Sequence, residues 1–225
     1  MLFYNILFLL LVIVIVIIII FVLKNKNISI DEIDKIYKKN SGYILNLSKN
    51  ENNGNNYPLT YGEITYDALK NIKNKFSTKD TFIDLGCGTG RSLVYALITG
   101  FNNAKGIEFV ETRVQSGKKS ISEIQQKKLQ INLNNLKIEQ GDLFSLDNSY
   151  FPDNSIVFIS NLMFSDDLNN KIMDFFDTKI SSKNIVLIIS KKINKTSKTF
   201  VLDENLLSTP MSWDVNSKCY VYLKN

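Results

Sequence analysis

The stretch FIDLGCGTGR, residues 82–91, decides how this chain folds. Its apolar beginning predicts a short buried strand over Thr81 to Leu85, and the glycines that follow predict a tight turn leading into a helix from about Gly90. Glycine adopts backbone conformations that other residues avoid, and it lets a ligand approach the main chain closely. The stretch therefore predicts a strand, a ligand-binding turn and a helix in succession.

The turn has the pattern D-x-G-x-G-x-G, with Asp84 before Gly86, Gly88 and Gly90. The dinucleotide pattern G-x-G-x-x-G has another spacing and lacks this acid, which repels a pyrophosphate but accepts a hydrogen bond from an ammonium group. Glu108 ends the next predicted strand, roughly twenty residues on, where an acid meets ribose hydroxyls. The two acids predict S-adenosyl-L-methionine as the cofactor, although a glycine turn alone also fits a plain strand-to-helix connection.

The composition limits the chemistry that is available. The 225 residues suffice for one folded domain and an appendage, and the absence of histidine excludes catalysis by Ser-His or Cys-His pairs and removes the commonest metal ligand, so no metal is expected. Cys87 and Cys219 form neither a CxxC pair nor a disulfide framework, which favours a reducing compartment. The net charge of +5 fits a solvated, lysine-rich surface and leaves contact with nucleic acid or anionic lipid open.

Residues 2–23 are almost wholly apolar, with Asn5 the one clearly polar side chain. As a helix they reach roughly 33 Å, enough to cross a hydrocarbon core of about 30 Å. They lack the basic start and small-residue cleavage site of a secretory signal. Lysines follow the stretch at Lys24 and Lys26 and none precedes it, so the sequence predicts a single-pass membrane anchor with the remaining chain in the cytosol. A buried core helix is the alternative.

Three regions follow from these patterns: an anchor over 1–24, an amphipathic helix and Asn-rich linker over 25–56, and a catalytic domain over 57–225. The amphipathic helix is predicted within residues 28–47, capped by Ser29. In the third region strands and helices alternate, which predicts an α/β fold with a mostly parallel sheet, helices on both faces, and ligands at the carboxyl ends of the strands. The predicted strands are 81–85, 104–108, 136–140, 155–161, 184–191, 199–202 and 218–224, the last two forming an antiparallel addition at the edge; the helices are 65–76, 91–99, 112–128 and 166–178.

Two further motifs end predicted strands. In GDLF, residues 141–144, Asp142 is placed to accept the adenine amino group while the N–H of Leu143 bonds a ring nitrogen, although an Asp-containing turn gives the same pattern. In SNLMF, residues 160–164, Asn161 is placed to orient an amine and Phe164 to wall a channel; a helix cap with core aromatics is the alternative. Transfer of a methyl group requires mainly that a neutral nucleophile be desolvated and aimed.

These motifs, in this order, resemble the disruptor-of-telomeric-silencing family of histone lysine methyltransferases, which lack a SET domain and have the seven-stranded class I methyltransferase fold. The resemblance spans residues 57–225, and its most specific parts are YGE, the SNLMFSDDLNN segment and the final SW…Y. The segments that carry it are YGE (61–63), FIDLGCGTGR (82–91), GIE (106–108), GDLF (141–144), SNLMFSDDLNNKI (160–172), SKK (190–192) and Trp213 with Tyr220.

The resemblance implies roles for individual residues. Tyr61, Gly62 and Glu63 would close over the methionine part of the cofactor. The glycine turn with Asp84 would hold its amino-acid end, Glu108 its ribose, and the GDLF motif its adenine. The residues implied to line the channel for the target lysine are Phe158, Ser160 and Tyr220.

The chain departs from the family at Ser160-Asn161, where the family has paired asparagines. The family's basic nucleosome-binding tail and helical N-terminal lobe are expected to be missing or reduced, with the predicted membrane anchor in their place. The resemblance implies a protein-lysine methyltransferase of histone type. Three alternatives stay open: methylation of a lysine on a membrane-adjacent protein, an amino-methylase of adenine or glutamine, for which the NLMF segment lacks the usual prolines, and an inactive cofactor-binding scaffold.

Overall fold

The computed structural model describes residues 12–15, 29–40, 62–127, 129 and 131–224. Among these residues, no helix combines the length and the apolar character needed to cross a bilayer. The predicted anchor lies outside the described part of the chain except for residues 12–15, which are helical and exposed. Tyr61 and the whole of the predicted Asn-rich linker also lie outside it.

A seven-stranded sheet forms the centre of the described domain. Its strands are β1 (Thr81–Leu85), β2 (Asn103–Glu108), β3 (Leu136–Gln140), β4 (Ser155–Ile159), β5 (Val186–Ile189), β6 (Phe200–Ser208) and β7 (Lys218–Lys224). The helices are α1 (Ile30–Lys39), α2 (Tyr66–Lys75), α3 (Arg91–Ile98), α4 (Glu111–Gln126) and α5 (Asp166–Lys179).

The strands lie in the order β3-β2-β1-β4-β5-β7-β6. Strands β1 to β5 are parallel, β7 runs antiparallel to β5, and β6 runs antiparallel to β7. The predicted α/β fold with its mostly parallel sheet is confirmed. The predicted antiparallel addition at the edge is also confirmed, with β7 next to β5 and β6 as the outermost strand.

Two apolar cores cover the two faces of the sheet. One contains the buried side chains of α1 to α4, and the other contains those of α5 together with Phe151. Every residue of β1, β4 and β5 is buried, as expected for central parallel strands covered on both faces. This packing holds the carboxyl ends of the central strands together at one end of the domain.

The predicted elements agree with the observed ones in kind and order, and their limits differ in places. Strand β6 extends from Phe200 to Ser208, whereas the sequence predicted only 199–202. Its later residues are mostly exposed, and its register against β7 shifts between Asp203 and Leu207, so this half has no alternation of apolar and polar side chains. An irregular edge strand of this kind leaves little periodicity in the sequence.

Candidate cofactor and substrate site

The glycine turn joins β1 to α3 at the carboxyl ends of the strands. Gly86, Gly88 and Gly90 have φ angles of 96°, 57° and 73°. These values lie in the left-handed region, which side chains with a Cβ rarely adopt. A Cβ placed on Gly86 would meet no atom within 4 Å, so the backbone here faces open space. The turn thus exposes main chain at Gly86, where the sequence predicted a ligand, while residues 87–90 are buried.

Asp84 is buried beneath this turn, with 4% of its surface exposed. Its carboxylate accepts a hydrogen bond of 2.5 Å from the Ser92 hydroxyl, which belongs to the first turn of α3. Burial raises the pKa of Asp84 to about 7, the Ser92 hydrogen bond opposes this shift, and the nearby carboxylates of Glu108 and Glu63 add to it. A cation bound beside Asp84 would stabilise its ionised form.

Glu108 ends β2 and is 5% exposed. Its carboxylate accepts hydrogen bonds from the backbone N–H groups of Gly88, at 2.8 Å, and Val110, at 3.0 Å. A guanidinium nitrogen of Arg113 lies 3.7 Å from one of its oxygens. The structure therefore brings Asp84 and Glu108 together at adjoining strand ends, as predicted, and it adds Arg113 as a charge partner that the sequence did not indicate.

Glu63 lies on the other side of the glycine turn, in the segment before α2. It forms an ion pair with Arg91, the first residue of α3, and accepts a hydrogen bond of 3.4 Å from Thr89. Its backbone N–H donates to the Ser212 hydroxyl at 2.9 Å, and the Ser212 N–H donates back to the Glu63 carbonyl at 2.8 Å. The YGE and SW segments, distant in sequence, are therefore joined directly.

Gly62 allows this junction to close. A Cβ on Gly62 would lie 2.3 Å from the indole of Trp213, closer than two carbon atoms approach. Trp213 itself remains 42% exposed. The indole consequently covers the backbone at Gly62.

The GDLF motif forms a short helical turn, Leu143–Ser145, after β3. Asp142 caps it, since its carboxylate accepts a hydrogen bond of 2.9 Å from the N–H of Phe144. The ring of Phe144 packs edge-on against Phe175, at 5.9 Å between centroids, and Lys171 lies 4.1 Å from its centre. The Asp-containing turn considered from the sequence is present, and it leaves an adenine contact by Asp142 and Leu143 as a prediction.

The structure corrects the role expected for Asn161, which is 1% exposed. Its amide NH₂ donates to Asn169, at 2.7 Å, and to the Lys191 carbonyl, at 2.9 Å. Its amide oxygen accepts from the Lys191 N–H, at 2.8 Å, and from the Ser190 hydroxyl, at 3.2 Å. These bonds occupy the amide, so Asn161 fixes the loop after β4 to β5 and α5 and does not present its carbonyl to an amine.

The residues expected to line the lysine channel are not all on one surface. Phe158 pairs with Ile188, which pairs with Val221, so Tyr220 points to the opposite face of the sheet from Phe158. Phe158 is 2% exposed and stacks on Phe82, with ring centroids 6.4 Å apart. The expectation that Phe158 forms an open channel wall together with Tyr220 is corrected accordingly, because its ring belongs to the core.

Three of the expected channel residues remain accessible. Ser160, Phe164 and Tyr220 are each partly exposed, and the rings of Phe164 and Tyr220 pack against the core that contains α5. Lys191 donates from its ammonium group to the Phe164 carbonyl, at 3.3 Å, and to Asp166, at 2.9 Å. These contacts hold the loop between β4 and α5 beside the end of β5.

Sequence reasoning missed several residues that shape the site, among them Arg113 and Gly117. A Cβ on Gly117 would lie 2.4 Å from the carbonyl oxygen of Thr89, so α4 packs directly on the glycine turn at this position. The available signal was a glycine inside a predicted helix, where it costs stability and so indicates close packing. Among the described residues, no group of three or more acidic or cysteine side chains is arranged to hold a metal ion.

Solved structures with the same fold are methyltransferases. An RNA methyltransferase from Salinibacter ruber, in complex with S-adenosyl-L-homocysteine, is 17% identical with a TM-score of 0.50, and the alignment covers 70% of this chain and 90% of that one. A putative methyltransferase from Escherichia coli is 14% identical with a TM-score of 0.52, over 72% and 86% of the two chains. A methyltransferase from Geobacter sulfurreducens is 11% identical with a TM-score of 0.52, over 88% and 100%.

At these identities the similarity establishes the fold alone. None of the curated proteins matches the sequence. The family model described as "Histone methylation protein DOT1" matches residues 45–217. This range contains the strand ends, the glycine turn and the junction of the YGE and SW segments described above. Because this match covers well over half of the chain, the chain belongs to the DOT1 histone methylation family.

Proposed function

We propose that the protein transfers a methyl group from S-adenosyl-L-methionine to a lysine side chain of a protein. The observation that carries the proposal is the pair of buried carboxylates, Asp84 and Glu108, at adjoining strand ends beside a glycine turn whose first glycine, Gly86, faces open space. A ligand with a cationic amino end and a ribose, and without phosphate, matches this charge pattern. S-adenosyl-L-methionine is the cofactor that the methyltransferase fold and the DOT1 family support.

The proposed cofactor site uses both sides of the turn. Asp84 receives the ammonium of the methionine part through its position beneath Gly86, and Glu108 receives the ribose hydroxyls. Bound there, the cofactor supplies an electrophilic methyl group. The residues proposed to hold it are Tyr61, Gly62, Glu63, Asp84, Gly86, Gly88, Gly90, Glu108, Asp142 and Leu143.

The methyl acceptor is proposed to enter between the loop after β4 and the start of β7. Ser160, Phe164 and Tyr220 are the partly exposed side chains there. Only an uncharged amine is nucleophilic, and an apolar, aromatic channel favours the uncharged form of a lysine because it removes water from the charged one. These residues thus orient and desolvate the amine, and Asn161 fixes the loop that carries Ser160 and Phe164.

A histone is the substrate that the family description favours. The test is methyl transfer by the full chain, kept in detergent, to recombinant nucleosomes, with radiolabelled S-adenosyl-L-methionine. We expect label on a core histone lysine and its loss in Asp84→Ala. The matched control is Asp67→Ala, which alters an exposed acid on α2. If the folded protein binds the cofactor but labels no protein, the proposed reaction is wrong.

A second substrate class is supported by the apolar stretch over residues 2–23. If that stretch anchors the chain in a membrane, as we propose, the domain meets proteins at the membrane surface more often than chromatin. Solubilised membrane proteins offered in a parallel reaction test this. Label among them, without label on nucleosomes, would keep the chemistry and replace the histone by a membrane-adjacent protein.

A further inference from the structure

Helix α1 is built into the catalytic domain, although it precedes residue 45, where the family match begins. Its side chains Ile33, Ile36 and Tyr37 are 0–2% exposed and belong to the core that α2 to α4 form on one face of the sheet. A helix buried to this extent is part of the fold and cannot be regarded as a linker.

The polar side chains of α1 contact the glycine turn and the start of α3. Tyr37 donates a hydrogen bond of 3.4 Å to the carbonyl of Gly90. Asp34 accepts a hydrogen bond from the Tyr95 hydroxyl, and a guanidinium nitrogen of Arg91 lies 3.5 Å from the same Asp34 oxygen. The helix therefore contacts both the turn and the first residue of α3.

Arg91 connects α1 to Glu63 beside the glycine turn. One end of its guanidinium faces Asp34 and the other pairs with Glu63, which also accepts a hydrogen bond from Thr89 in the turn. The Arg91 and Glu63 side chains are 18% and 14% exposed, so their pairing is partly shielded from water. A planar guanidinium held from both ends has a fixed orientation, and it fixes the carboxylate it pairs with.

We propose that α1 completes the cofactor site, and that Asp34 is a positioning residue that acts through Arg91 to orient Glu63 beside the methionine end of the cofactor. The inference rests on the function proposed above. Asp34 touches no cofactor itself. It orients Glu63, which is proposed to contact the cofactor, and it does so from a helix outside the region that the family model matches.

The test measures binding of S-adenosyl-L-homocysteine to the full chain by calorimetry, and the Michaelis constants. We expect Asp34→Asn to raise the Kd about three- to tenfold, since a partly exposed charge pair is lost. The KM for the cofactor should rise by a similar factor, while kcat stays within about twofold of wild type because the reacting groups are unchanged. Asp31→Asn, the same change at an exposed position of the same helix, is the control and should bind as wild type does.

A double-mutant cycle separates positioning from mere packing. If Asp34 acts through Arg91, the double variant Asp34→Asn/Arg91→Gln binds no more weakly than Arg91→Gln alone. Additive losses would overturn the inference, as would an unchanged Kd in Asp34→Asn. Tyr37→Phe removes only the hydroxyl that donates to the Gly90 carbonyl. It tests the contact of α1 with the turn separately, and it should also raise the Kd. Failure of the wild type to bind would instead reject the proposed cofactor site.

Discussion

The carboxylate of Glu108 accepts a hydrogen bond of 2.8 Å from the backbone N–H of Gly88. This bond ties the end of β2 to the middle of the glycine turn, and the N–H groups of Gly86 and Cys87 donate to the Ile107 carbonyl beside it. The turn is therefore shaped by its neighbouring strand as well as by its own glycines.

Replacing Glu108 should cost stability as well as cofactor affinity. Glu108→Ala removes the acceptor of the Gly88 and Val110 N–H groups and the carboxylate that lies 3.7 Å from the buried Arg113 guanidinium, which predicts a loss of about 3 kcal/mol in the free energy of unfolding. Urea denaturation of the full chain measures it. Glu204→Ala, at an exposed position of β6, should change the value by less than about 0.5 kcal/mol. Equal stability of the two variants would contradict the observed role of Glu108.

The pKa of Asp84 predicts how stability depends on pH. Because the pKa is raised to about 7 in the folded state, Asp84 favours folding fully below its ordinary pKa of 3.8, and this contribution is lost as the pH rises through 7. Between pH 5 and pH 8 the free energy of unfolding of the ligand-free wild type should fall by about 3 kcal/mol more than that of Asp84→Asn. Denaturation curves of both proteins at the two pH values provide the comparison. Parallel pH dependence in the two would show that Asp84 titrates normally.

The same group predicts the opposite trend for cofactor binding. An ammonium group binds the ionised form of Asp84, so affinity should increase as the pH rises through the pKa of about 7. From pH 6 to pH 8 the Kd for S-adenosyl-L-homocysteine should fall about tenfold in the wild type. In Asp84→Asn the Kd should be higher than in the wild type and nearly constant over this pH range. A wild-type Kd that does not vary would argue against contact between Asp84 and the ammonium.

Gly62→Ala should displace the indole of Trp213. The new methyl group would occupy the position that lies 2.3 Å from the ring, so the ring must move. Trp213 is the single tryptophan of the chain, and its fluorescence reports this change without a label. We expect a red shift of the emission and weaker cofactor binding, because Glu63 and Ser212 are joined at the same place. Val215→Ala, at a residue that is 75% exposed in the following turn, should leave the emission unchanged.

Asn161 should be required for stability more than for chemistry. In Asn161→Asp an acceptor replaces the NH₂ group that donates to Asn169 and to the Lys191 carbonyl, which leaves these acceptors facing a carboxylate. The free energy of unfolding should fall by about 3 kcal/mol. Ser160→Ala, the neighbouring change at a partly exposed position, should alter it by less than about 1 kcal/mol. Normal stability of Asn161→Asp would show that these hydrogen bonds contribute little to holding the loop after β4 in place.

Much of the fold and half of the site were accessible from the sequence. The alternation of apolar strands and amphipathic helices predicted the parallel sheet, since burial on both faces imposes local patterns. The turn with Asp84, and Glu108 after the next strand, were found because parallel strands bring their carboxyl ends together. The hydrogen-bond partners of Asn161 could not be predicted, because an asparagine at a strand end gives the same sequence pattern whether it binds protein groups or substrate.

The sequence by itself determined the order of the elements, the glycine turn and the two acids beside it, because each depends on residues close together in the chain. Only the tertiary structure decided that Trp213 covers Gly62, that Arg91 joins Glu63 to Asp34, and which face of the sheet each aromatic ring takes. The physical reason is that these contacts depend on strand register and helix packing. Strand register and helix packing depend on the whole core, so no local sequence pattern predicts them.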